Sequence, residues 1–256
     1  MKNRNISLAA FLTLACALPL ARVSAQINKS SASTSQTSPF KVTADLVSSY
    51  YWRGSVSSCT PNFQPTFSVF KGGLEIGAWG STSFDGNYKE LDLYASCTAG
   101  PLKFTLTDYD WNLTGVTTVK YFNYKSKETG HIYECSVGYT GPESFPLSIS
   151  ANVMFAGADK KWDETLGAQD SSKQAYSTYI EFGYAFKYFS LFIGITPSDG
   201  YYGDYYGGYG GFNVCNIGLT ATKNIKISDA FSLPLKATLG FNPQKEDAYL
   251  VLGITF

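Results

Sequence analysis

Hydrophobic and polar residues alternate along almost the whole chain after residue 39. A period of two is the signature of half-buried β-strands, in which successive side chains point to opposite faces. Residues 40–53 carry Phe40, Val42, Ala44, Leu46, Tyr50 and Trp52 on one face, and Lys41, Thr43, Asp45, Ser49 and Arg53 on the other. Residues 147–155, 176–186 and 233–242 repeat the pattern. The last nine residues, Ala248 to Phe256, give it most plainly: Leu250, Leu252, Ile254 and Phe256 lie opposite Tyr249, Val251, Gly253 and Thr255. About twelve such segments follow from this matching. They are 40–53, 62–71, 74–81, 90–97, 102–111, 131–139, 147–155, 176–186, 189–196, 212–223, 233–242 and 248–256. Pro65 weakens the second, because proline has no ladder donor, and it marks a candidate bulge. Asp108 and Asp110 weaken the fifth, since they share a face with Phe104 and Leu106; they fit beyond the apolar band at the strand's outer end.

An apolar strand at a chain end is an aggregation hazard unless its edge is paired. Closing the sheet by pairing the last strand with the first removes that edge, and in lipid the closure is compulsory. The expected fold is therefore all-β, an antiparallel transmembrane β-barrel over residues 40–256. Strands of this length suit a tilted crossing of a bilayer. Placing the C-terminus on the periplasmic side makes the links 72–73, 98–101, 140–146, 187–188 and 224–232 periplasmic. The links 54–61, 82–89, 112–130, 156–175, 197–211 and 243–247 then become external. The three longest fall on the external side, as in outer-membrane barrels.

The start of the chain reads as an export signal. Lys2 and Arg4 precede a mostly apolar run from Leu8 to Leu20, and Val23-Ser24-Ala25 has the small-x-small shape of a cleavage site. Residues 1–25 are the expected signal peptide. Residues 26–39, rich in Ser, Thr and Gln, form a flexible lead-in.

Composition narrows the function classes. The formal net charge is zero, which gives a nucleic-acid partner no electrostatic basis. Aromatic residues make up 16% of the chain, which suits strands and interfacial girdles. The mean hydropathy of −0.09 argues against a helical membrane protein but not against a barrel, whose alternate residues face water. His131 is the sole histidine, and no nucleophile elbow accompanies it, so no catalytic residue and no enzyme activity is expected. The cysteines lie too far apart for a metal site, and no cofactor is implied. Cys59, Cys97, Cys135 and Cys215 follow the signal; Cys97, Cys135 and Cys215 share the apolar parity. The four are read as reduced, although an even count in an exported chain also fits disulfides. Asn28-Lys29-Ser30 and Asn112-Leu113-Thr114 match a short glycosylation pattern that is common by chance.

Inward parity selects ten charged residues: Lys41, Asp45, Arg53, Glu75, Glu90, Asp92, Lys103, Glu134, Glu181 and Lys236. A charge facing lipid near the midplane costs roughly 2–4 kcal/mol, so alternation turns these into the lumen. They line a pore that passes small hydrophilic solutes, or they pair internally and close it. Strand number leaves both readings open, since eight strands fill their interior and sixteen leave a channel. Arg53 is expected to form an internal ion pair, with Glu75 or Asp92 as candidate partners. The run from Gly200 to Gly211 holds Tyr201, Tyr202, Tyr205, Tyr206 and Tyr209, either as an external binding loop or as a flexible loop with tyrosines at the membrane girdle. The second is the simpler reading.

Three stretches in order resemble a known family. Ser48, Tyr50, Arg53 and Gly54 form Ser-x-Tyr-x-x-Arg-Gly. Gly73-Leu-Glu-Ile-Gly77-Ala-Trp79-Gly-Ser81 and Glu90-Leu-Asp-Leu-Tyr94 follow. Together they resemble the TorF-type porin family of Gram-negative outer membranes. The terminal strand resembles those of outer-membrane barrels, which end in Phe and are read by the barrel assembly machinery. The resemblance implies a lipid bilayer as partner and a barrel more firmly than a particular solute.

Overall fold

A computed structural model describes residues 38–113, 120–165, 167–203, 211–229 and 231–256. The expected signal peptide, most of the lead-in, and Tyr205, Tyr206 and Tyr209 lie outside the described residues.

Twelve antiparallel strands close into one barrel. In chain order they are β1 (Phe40–Val47), β4 (Asn62–Lys71), β5 (Leu74–Ser83), β6 (Tyr88–Ala99), β7 (Leu102–Leu113) and β8 (Ile132–Thr140). After them come β9 (Leu147–Gly157), β12 (Thr178–Ala185), β13 (Ser190–Thr196), β14 (Asn213–Lys226), β15 (Ser232–Asn242) and β16 (Asp247–Thr255). Two hairpins stand apart from the wall: β2 (Tyr50–Trp52) with β3 (Ser55–Ser58), and β10 (Lys160–Asp163) with β11 (Ala168–Gln174). The last strand closes on the first through Asp45↔Thr255, Leu46↔Ile254 and Val47↔Gly253. Phe256 and Ala44 exchange both backbone hydrogen bonds at that seam.

All twelve expected strands are present, within a few residues at their ends. One boundary differs in a way that matters. The alternation from Phe40 to Arg53 is two elements, because the wall strand stops at Val47 and the chain leaves the wall at Ser48-Ser49. Pro65 does not create a bulge. The β4–β5 ladder skips it between Phe63↔Thr82 and Thr66↔Trp79 and resumes in the same register.

Apolar side chains cover the outside of the wall. Val42, Phe67, Ile76, Leu93, Leu106, Phe182, Leu250 and Leu252 are all exposed. A soluble monomer does not leave a continuous apolar belt in water. A closed barrel with this exterior fits an outer-membrane protein. Inside, aromatic side chains lie over glycines of the adjacent strand: Tyr94 over Gly77, Tyr179 over Gly194, Tyr249 over Gly240. A methyl group at any of those glycines would meet the ring.

Asp108 and Asp110 take the outward parity at the long-loop end of β7, as their position along the strand implies. Asp108 bonds His131 Nδ1 at 2.7 Å, and His131 Nε2 meets the Tyr121 carbonyl at 2.5 Å. Both ring nitrogens of this buried histidine are therefore occupied by structural contacts.

The four described cysteines are free. Cys97 and Cys135 lie on the apolar exterior, but Cys215 does not share their face. A β-bulge between Gly194↔Asn216 and Ile195↔Val214 inserts it as an extra residue, which turns it into the lumen, where it is 1% exposed. Parity counting fails at a bulge because one extra residue reverses every later side chain. A membrane-impermeant maleimide should therefore label Cys59 readily in intact proteoliposomes and leave Cys97, Cys135 and Cys215 untouched. Mass spectrometry after labelling reads the outcome.

Candidate functional site

The chain between β1 and β4 folds into the barrel mouth. Arg53 and Gly54 have φ of 50° and 81°, and Trp52 pairs with Ser55 across them. Two consecutive positive φ values define the type I′ turn that matches the twist of a two-residue hairpin. Glycine takes this conformation freely, whereas arginine adopts it at a cost, which the surroundings must offset.

Those surroundings are an ion pair inside an aromatic cage. Arg53 Nη1 donates to Glu134 Oε2 at 2.5 Å and Nη2 to Oε1 at 2.8 Å. Nη1 also donates to the Tyr202 hydroxyl. Glu134, fully buried on β8, accepts further bonds from Tyr109 and Ser136, each at 3.0 Å. The guanidinium carbon sits 4.5 Å from the Trp52 ring centroid and 5.0 Å from that of Tyr179. Planar two-point bonding and ring stacking are both arginine properties that lysine lacks.

The rest of the hairpin reaches other sides of the wall. Tyr50 packs against Trp79 of β5 and Tyr88 of β6 at 5.5 and 5.7 Å. Tyr51 stacks on Tyr249 of β16 at 4.2 Å. Trp52 meets Tyr109 and Trp111 of β7, with Tyr201 and Tyr202 closing from the β13–β14 loop. The Gly54 carbonyl accepts from Asn242 of β15 at 2.9 Å. The hairpin thus touches the wall around most of its circumference and occupies the long-loop half of the lumen.

Below it lies a polar vestibule of about 440 Å³. It runs from Tyr50, Tyr51 and Arg53 to Asp45 and Thr255, with Glu181, Asn216 and Lys236 on its sides. A hydrogen-bond chain rings part of it: Tyr249 donates to Asn216 at 2.7 Å, Asn216 to Tyr179 at 3.0 Å, and Tyr179 to Glu181 at 2.5 Å.

The ten inward charges separate into groups. Asp45, Arg53, Glu181 and Lys236 line the vestibule. Glu75 pairs with Lys103 at 3.1 Å near the short-turn end, and Lys41 is exposed at that end of β1. That half-exposed Glu75–Lys103 pair is worth no more than about 1 kcal/mol. Glu90, Asp92 and Glu134 face inward but are sealed from water, at 4%, 5% and 0% exposure. Arg53 does form the expected internal pair; its partner is Glu134, not Glu75 or Asp92.

Tyr201 and Tyr202 correct the simpler reading of their loop. Tyr202 is 2% exposed and both rings pack inside the mouth instead of sitting at a membrane girdle. The inward roles of Tyr50 and Trp52 were not visible from parity, which placed them on the lipid face. The signal that marks them is a single glycine, Gly54, between a Tyr-Tyr-Trp run and Ser-Val-Ser-Ser.

No family model and no curated protein sequence matches this chain.

Proposed function

We propose that the chain is an outer-membrane channel of the porin type, passing small hydrophilic solutes through a lumen narrowed by the β2–β3 hairpin. The observation that carries the reading is the vestibule. A barrel with an apolar exterior keeps a chamber of about 440 Å³ whose mixed lining includes Asp45, Arg53, Glu181 and Lys236 with the amides of Gln64 and Asn216. An interior that served only to fill the barrel would close that volume with packed side chains. The resemblance of residues 48–97 to the TorF-type porins supports the same reading. Export by residues 1–25, a periplasmic C-terminus and insertion through the terminal strand belong to the proposal; catalysis does not.

A second reading is a closed barrel that acts through its outer loops. It is favoured by the filling of the long-loop half by Tyr50, Trp52, Tyr201 and Tyr202. Purified protein in planar bilayers separates the two. The channel reading expects conductance steps smaller than those of a variant with residues 50–58 replaced by a short Gly-Ser link. A folded barrel that is silent in both forms rejects the channel and leaves the second reading.

A further inference from the structure

The main chain joins the hairpin to the wall through Ser48-Ser49 and Cys59-Thr60-Pro61. Its backbone ladder is internal, β2 to β3, and the β1–β4, β1–β16 and β5–β6 ladders run without it. It can therefore leave the lumen without breaking a wall ladder. What holds it in place is side-chain contact: the ring packing of Tyr50, Tyr51 and Trp52 on the wall, the Arg53–Glu134 pair, the Gly54 carbonyl on Asn242, and Lys245 on Ser55 at 3.0 Å.

Beneath Tyr50 lie Glu90 and Asp92, on the inward face of β6. Tyr88 donates to Glu90 at 2.6 Å. Asp92 Oδ1 is fully buried and has no hydrogen-bond partner among the described residues. Among the described residues neither carboxyl has a basic side chain within ion-pairing distance, whereas Glu134 and Glu75 each have one. Native structures rarely leave a buried carboxyl oxygen unbonded, because desolvation without compensation is costly. Withdrawing Tyr50 would hydrate both groups. The seated hairpin thus gains the Arg53 pair and bears the cost of two covered acids, the balance expected of an element with two accessible positions.

The charge left in the lumen sets the selectivity of the open position. With the hairpin out, Arg53 leaves and Glu134 stays. Glu134 on β8 and Glu90 and Asp92 on β6 then share one side of the mouth, with β7 between them and, among the described residues, no basic side chain paired to any of them. We infer that the Tyr50–Ser58 hairpin is a gate latched by Arg53 on Glu134, and that its withdrawal opens a cation-preferring path lined by Glu90 and Asp92. The inference rests on the channel reading.

Single-channel recording in a KCl gradient tests it, on protein whose folding is verified by heat-modifiable migration in gels. Wild type should dwell mostly at the small conductance of the seated hairpin and open rarely to the larger level of the hairpin-replaced barrel. Glu134→Gln, which removes the latch charge and keeps the shape, should raise open probability about tenfold or more. Its reversal potential should show cation preference, and adding Glu90→Gln and Asp92→Asn should move that potential toward zero without restoring closure. A folded Glu134→Gln barrel with wild-type open probability overturns the gate. A potential that the Glu90 and Asp92 changes do not move overturns the filter. Silence in wild type, in Glu134→Gln and in the hairpin-replaced barrel rejects the channel reading itself.

Discussion

A Glu134→Ala barrel that keeps its hairpin seated should unfold with about 3–5 kcal/mol less free energy than wild type. The size follows from what is left behind. Arg53 would keep its guanidinium among Trp52, Tyr179 and Tyr202 with no carboxylate to bond. The reciprocal change is milder, because Glu134 retains Tyr109 and Ser136 as donors. Removing both charges, as Arg53→Met with Glu134→Ala, should recover most of the loss, since a buried pair replaced by apolar groups is often neutral. Urea unfolding in lipid vesicles measures all three variants. Additive single effects in the double variant would show that the two residues do not act as a pair. Where the hairpin withdraws instead, the loss is capped at the free energy of hairpin docking, and Trp52 fluorescence shifts toward that of a hydrated indole.

Gly54→Ala should unseat the hairpin. Gly54 holds φ of 81°, and a Cβ there would run into the Cys215 carbonyl oxygen and lie 3.1 Å from Asn216 Cβ. A backbone atom cannot rotate out of the way as a side chain can. The forced φ alone costs about 1–3 kcal/mol. Trypsin reads the result, because Arg53 is a cleavage site protected by its burial. Each 1.4 kcal/mol lost from docking multiplies cleavage by about ten, so cutting after Arg53 should accelerate tenfold to a hundredfold. Unchanged protection in a folded Gly54→Ala barrel would mean that the turn fits the wall more loosely than its contacts show.

The wall was legible in the sequence because one rule acts at every position of it. A wall strand with an apolar outer face and a more polar inner one must alternate, so Leu250 and Leu252 against Tyr249 and Val251 fix both strand and face. Closure followed from the same residues. What could not be read were departures from that rule. Cys215 turns inward at a bulge, which has no signature in hydrophobicity. Tyr50 and Trp52 keep the parity of β1 while belonging to another element, because aromatic residues suit a lipid face and a packed lumen equally well. Arg53 was recognisable as a buried cation needing a carboxylate. Its partner was not recognisable, since pairing across a lumen depends on how far strands are staggered. Glu75 and Asp92 lay nearer in sequence, and Glu134 lay nearer in space.

The partners of the hairpin also fix when it can dock. Arg53 meets Glu134 across 81 residues and Tyr202 across 149, and Gly54 meets Asn242 across 188. None of these contacts exists until β8, β14 and β15 stand in the wall. Ordering so short a segment against such distant partners gives no return while the chain between them is open. The hairpin is therefore expected to dock only after those strands stand in the wall, although it precedes them in the chain. In refolding, the Trp52 signal should lag the appearance of the heat-resistant barrel. Each newly made barrel then passes through a hollow state before its first loop turns in.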